Sequence, residues 1–116
     1  MSRRARIAAA ALTLLLQLVV LYAPRAPSVD TGWLPLDKVG HAVVFALPTM
    51  ALIAAGLHRG WAIGLMAAHA PLSELVQQEL LGARSGEVGD VVADLVGVGI
   101  GAWLVRPGGR LDRGTA

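Results

Sequence analysis

Four apolar runs, each close to the length of a bilayer crossing, decide most of what this chain can fold into. A helix that crosses the hydrocarbon core takes roughly 20 mostly apolar residues, with a range of about 17 to 25. Residues 7–23, 41–57, 61–78 and 88–105 meet that requirement, the first interrupted only by Thr13 and Gln17. None alternates with the period of a strand, and each is too long for one, so a β-barrel is excluded. The expected fold is all-α, a four-transmembrane-helix bundle in a single domain spanning 1–116, with short connections and a tail at 106–116. Composition agrees: 55% of residues are hydrophobic and 16% charged, whereas a soluble domain carries about a quarter charged residues.

The run at 7–23 follows Arg3, Arg4 and Arg6 and so has the start of a secretory signal. It is longer than a signal core, and the nearest small-residue site, Ala26, is followed by Pro27. It therefore reads as a retained span. Cysteine is absent, which excludes disulfides and thiolate metal sites. The net charge is +2, with the basic residues gathered toward the two ends of the sequence. In a chain this apolar such clustering points to orientation in a bilayer rather than to nucleic acid.

Counting Lys and Arg in the connections sets that orientation. With the N-terminus cytoplasmic, one side holds Arg3, Arg4, Arg6, Arg59, Arg106, Arg110 and Arg113, the other Arg25, Lys38 and Arg84. Both termini are therefore expected inside a bacterial plasma membrane, in a multi-pass arrangement. Tyr22 and Trp33 would then lie near the outer interface, Trp61 and Trp103 near the inner one.

This topology brings polar residues of three spans to the outer face. Asp37, His41 and Phe45 share one face of the second helix, and Glu74, Gln77 and Gln78 stand near the end of the third. Asp90, Asp94, Gly97 and Gly101 form a stripe on the fourth, and the loop before it carries Arg84 and Glu87. At a rise of 1.5 Å per residue, Asp94 sits roughly 9 Å and Glu74 about 6 Å inside the apolar segment. Asp37 and Asp90 alone would be satisfied as helix caps, His41 as an interfacial hydrogen-bonder and the glycines as close-packing positions. Capping does not explain Glu74 and Asp94 together, because they lie beyond the capping turn or at the wrong pole of the helix dipole. Charges at such depth imply mutual compensation, with Lys38 and Arg84 set against the carboxylates.

These residues resemble a known pattern. "DKVGHAVVF" (Asp37, Lys38, His41, Phe45), "SELVQQ" (Glu74, Gln77) and "RSGEVGDVVADLVGVGIG" (Arg84, Asp90, Asp94, Gly97, Gly101) look like the signatures of the VanZ-like family of small bacterial membrane proteins. The resemblance covers Asp37 to Gly101 and implies a four-helix membrane domain of the cell envelope. It also implies a link to resistance against the glycopeptide teicoplanin, without an established activity. Asp94 departs from the family's usual Asn and adds a carboxylate one turn from Asp90, so a shared proton, a cation or an arginine must offset the pair.

Two functions follow from these residues. As a binding module, a pocket of Asp37, Lys38, His41, Glu74, Gln77, Arg84, Asp90 and Asp94 would hold a lipid-linked phosphate or sugar headgroup, or part of a glycopeptide. Lys38 and Arg84 would meet the anion, and membrane lipid would be the partner. As an enzyme, His41 with the carboxylates would serve as a general base or hold a divalent cation, since no other cofactor is indicated. A third use, a proton path through His69, lacks acceptors in the apolar inner halves. The glycine stripe, if exposed, leaves room for a homodimer.

Overall fold

The structure, a computed structural model, describes residues 1–23, 36–80 and 88–107, with side chains in the second stretch described from Lys38 onward. Among the described residues the fold is all-helical: α1 (Arg3–Tyr22), α2 (Leu36–Ala54), α3 (Arg59–Leu80) and α4 (Val88–Leu104). The loops carrying Arg25, Trp33, Arg84 and Glu87, the side chain of Asp37, and the tail with Arg110 and Arg113 lie outside the described residues.

The helix limits depart from the apolar runs for local reasons. Ser2 caps α1 by accepting the Ala5 N–H at 3.0 Å, so the helix takes in the arginines ahead of the apolar run. At α2 the expected span of 41–57 is displaced: the helix begins at Leu36 and stops at Ala54. Gly56, at φ +107°, ends it. The Gly56 N–H bonds the Ile53 carbonyl and the Leu57 N–H the Leu52 carbonyl, each at 3.0 Å, which is the paired closure of a Schellman turn. At the far end of α4, Arg106 donates to the Trp103 carbonyl at 2.8 Å and lies 4.0 Å from the Trp103 ring centroid.

α2 and α4 run parallel and form the most extensive helix pair. Gly97 and Gly101 make this possible. A Cβ at Gly97 would overlap the backbone of Ala42, and one at Gly101 would stand 2.5 Å from the Ala46 carbonyl oxygen. The glycine stripe is thus buried inside the chain, where it lets two backbones touch. This is the close-packing role expected of these glycines, with Gly97 and Gly101 both buried. α3 packs against α4 and α2, and α1 against α2 and α3.

Pro48 lies inside α2 and has no N–H to give the carbonyl four residues back, that of Val44. Gln17 of α1 supplies the missing donor: its Nε2 bonds the Val44 oxygen at 3.0 Å. Gln17 is buried, so the single amide in the first apolar run satisfies a backbone group in its neighbour.

The distribution of polarity is inverted relative to a soluble bundle. Gln17, His41, Thr49, Ser73, Glu74, Gln77, Asp90 and Asp94 are buried, while Leu12, Leu15, Leu72, Leu75, Val96 and Ile100 are exposed. The apolar part of the core is small, built around Leu21, Val44, Phe45, Met66, Ala70 and Val98. α1, with 20 residues, is long and apolar enough to cross a membrane, and the apolar part of α2 is shorter.

Candidate functional site

His41 is the centre of the polar cluster. It sits one turn into α2, on the face turned toward α4 and α3, because the parallel α2–α4 seam brings the first turns of the two helices level. Asp94 of α4 lies with Oδ1 2.7 Å from His41 Nδ1, a short bond between two buried groups. Asp90, one turn earlier on α4, places Oδ2 3.6 Å from His41 Nε2. Glu74 of α3 places Oε1 3.8 Å from Nδ1. Lys38, one turn before His41, forms a close ion pair with Asp90 Oδ1. Three helices therefore contribute three carboxylates, one imidazole and one ammonium to a single buried volume.

Burial makes the electrostatics consequential. Asp94 is fully buried, and His41, Glu74 and Asp90 are 4–6% exposed. Attraction between unit charges a few ångströms apart grows several-fold from water to an interior of lower dielectric, and so does the penalty for a charge left uncompensated. The Lys38 side chain, at 35% exposure, is the part of the cluster that reaches the surface. The extra carboxylate at Asp94 is accommodated by His41, and that at Asp90 by Lys38.

Of the residues expected at the pocket, Lys38, His41, Glu74, Asp90 and Asp94 come together. Arg84 and the Asp37 side chain fall outside the described residues. Gln77 is buried, but its Nε2 donates to the Leu21 carbonyl at 2.7 Å. That carbonyl belongs to the last turn of α1, which has no helical partner for it. Gln78 is exposed. On α3, His69 Nε2 meets the Tyr22 hydroxyl at 2.7 Å, with the His69 ring 5.6 Å from that of Phe45. Tyr22, expected as an interface anchor, is in this way a link between α1 and α3.

The set His41, Glu74 and Asp90 has the donor types and spacing of a metal site: one ligand atom from each lies within 4.8 Å of the others. Imidazole with carboxylates suits first-row divalent cations. Set against known proteins, the chain matches no family model, no curated protein and no solved structure.

Proposed function

We propose that the chain is a multi-pass integral membrane protein of the VanZ-like kind, with both termini cytoplasmic, and that its buried cluster binds a polar group presented at the outer leaflet of the bacterial plasma membrane. The observation that carries this reading is the convergence of Lys38, His41, Glu74, Asp90 and Asp94 at one end of a bundle whose outer surface is apolar. Exposed leucine on every helix, with amides and charges inside, suits hydrocarbon as the surrounding solvent. Ionisable groups buried in such a bundle mark a binding or transfer site by default. The ligand class is a lipid-linked phosphate or sugar headgroup, or a glycopeptide, which ties the protein to envelope chemistry and to teicoplanin resistance.

Two measurements test the reading. The chain has no cysteine, so single-cysteine variants report topology without a background signal: Ser85→Cys labels from outside intact cells, and Ser2→Cys only after permeabilisation. Labelling of Ser85→Cys from the cytoplasmic side alone would sink the outward pocket. Mass spectrometry of protein released from nanodiscs should show one retained phosphate-bearing lipid, lost in Arg84→Ala and in His41→Ala.

A second reading rests on the 2.7 Å contact between Asp94 and His41 Nδ1. A carboxylate that orients an imidazole is the arrangement of a general base, so the same pocket would support hydrolysis of the group it holds. Release of inorganic phosphate from a lipid-linked phosphate in nanodiscs, abolished in His41→Ala, is the expected sign.

A further inference from the structure

We infer that the end of the bundle opposite the ionic cluster carries a separate binding site, where Arg59 and Arg106 hold the phosphate of an anionic phospholipid beside the exposed indoles of Trp61 and Trp103. Only the membrane setting is shared with the reading above; the residues, the end of the helices and the ligand's role differ. Arg59 is half-buried, and its Nη1 is sealed from solvent with no hydrogen-bond partner among the described residues. A guanidinium stays charged in a protein and has only donors to offer. Buried polar groups are otherwise paired, so an orphan of this kind calls for a group that the polypeptide does not supply. The backbone holds Arg59 in place: the Gly60 N–H donates to His58 Nδ1 at 3.1 Å and the Ala62 N–H to the His58 carbonyl at 3.0 Å, which closes the first turn of α3 around it.

No carboxylate stands near enough in the fold to answer that charge. Among the described residues the acids Glu74, Glu79, Asp90 and Asp94 lie toward the opposite end of α3 and α4. With α2 and α4 parallel and α3 returning through the Gly56 turn, α3 starts where α4 finishes, and the two helices pack together. Glu74 and Asp94 meet at His41. From that level, at a rise of about 1.5 Å per residue, Arg59 lies roughly 22 Å along α3 and Arg106 roughly 18 Å along α4, so the two residues stand at nearly one height. Arg106 is preset for an anion. Its Nη1 donates to the Trp103 carbonyl at 2.8 Å and its guanidinium carbon lies 4.0 Å from the Trp103 ring centroid, which fixes the fork while engaging one of its donors. Planar forks of this kind suit bidentate phosphate contact, and basic pockets between spans take phospholipid headgroups. Trp61 and Trp103 are 66% and 57% exposed, as indoles are at the boundary of hydrocarbon and headgroups. Exposed Leu65 and Ile100, one turn further in on the faces of Trp61 and Trp103, offer apolar surface to acyl chains. A zwitterionic lipid brings a cation of its own, which these arginines repel; an anionic one does not.

Such a lipid sits at the bundle's surface and exchanges within the bilayer, so it is read in place, apart from any lipid that the pocket retains on release. The test uses the full chain carrying Trp33→Phe, which leaves Trp61 and Trp103 as the only indoles, in phosphatidylcholine nanodiscs with a minor fraction of dibrominated phosphatidylglycerol or dibrominated phosphatidylcholine. Salt of about 1 M screens diffuse attraction to the basic surface but spares partly buried contacts. Quenching should show a preference for phosphatidylglycerol of roughly 10-fold, the scale set by two arginines against anionic headgroups. Arg59→Gln and Arg106→Gln should each remove most of it; Arg3→Gln and His41→Ala should leave it intact. Helix content in the same discs shows which variants fold. If Arg59→Gln does not, Arg59→Lys, which keeps the charge without the fork, takes its place and should still weaken the preference. No preference in the native chain, or equal losses in Arg3→Gln and Arg59→Gln, would overturn the site. A preference gained only in Asp112→Asn would overturn it too, by assigning Arg59 to a carboxylate of the tail. Fluorescence recovered on adding inorganic phosphate would make the ligand a soluble phosphate and overturn the lipid. Failure of the chain to enter the discs removes this site and the pocket together, whereas an inserted chain without the preference removes this site alone.

Discussion

The bundle has two polar junctions, and they are built on different principles. Where α1 meets α2 and α3, two buried amides answer needs of the backbone, beside the Tyr22–His69 hydrogen bond. Gln17 replaces the N–H that Pro48 lacks, and Gln77 satisfies a carbonyl at the end of α1. Where α2 meets α3 and α4, the polar side chains are ionisable and answer one another: His41 with Asp94, Asp90 and Glu74, and Lys38 with Asp90. The first junction is accounted for once the helices and their breaks are known. Nothing in the helices requires the second. Replacing a buried ion cluster by apolar groups of similar volume is often neutral or stabilising. Its presence therefore needs a reason outside folding, and this contrast is the physical ground for placing function at His41 rather than at the equally polar His69.

The contrast breaks if the two histidines respond alike to truncation. His41→Ala removes the group that stands between three carboxylates and should cost roughly 3–5 kcal/mol, the range for breaking a buried ionic arrangement by deleting one partner. His69→Ala removes one hydrogen bond to Tyr22 and aromatic contact with Phe45. It should cost less, about 1–3 kcal/mol. Reversible unfolding in mixed micelles gives both differences. Equal losses, with lipid retention unaffected in either variant, would make the cluster one more structural junction.

The ionic junction depends on the seam between α2 and α4, and a smaller change there sharpens the comparison. Gly97→Ala forces a methyl into the Ala42 backbone, which cannot give way as a flexible side chain would. The cost should be about 1–3 kcal/mol. Because the seam sets the level of Asp90 and Asp94 against Lys38 and His41, lipid retention should fall in the same variant. The Gln17–Val44 bond does not cross the seam and should survive, as the amide hydrogen-exchange protection of α1 would report.

Much of this was legible in the residues. The apolar runs foretell four helices, and Gly56, read as a stop signal, would have placed the end of α2 at its observed position. Lys38, His41, Glu74, Asp90 and Asp94 could be gathered because each is a costly residue at helical spacing, and cost together with periodicity localises a side chain to a face. What spacing could not convey was the pairing across helices. Gln77 sits on the cluster's helix one turn from Glu74, yet it turns to α1, since the choice depends on where the last carbonyls of α1 fall. Tyr22 carries an interfacial signature and is bound to His69. Gln17 passed as an interruption of an apolar run, although an amide there and a proline in the next span form a readable pair: one helix lacks a donor and its neighbour has a spare one.

That pairing gives the smallest and most discriminating test. If Gln17 is retained because Pro48 cannot serve Val44, then restoring the backbone N–H should make the glutamine dispensable. Gln17→Leu in the native background should cost about 1 kcal/mol, in keeping with a single buried hydrogen bond. In a Pro48→Ala background the Val44 carbonyl has its own helical donor, and the same substitution should cost close to nothing. The coupling in the double-mutant cycle should therefore be about 0.5–1 kcal/mol, with the pair less destabilised than the sum of the single changes. Additive costs would mean that Gln17 is kept for its contact with Met66, where Nε2 approaches Sδ at 3.5 Å, and the neutral junction would no longer be explained by backbone need. No such rescue is expected at the ionic junction, because among the described residues His41 faces side-chain carboxylates rather than a backbone carbonyl.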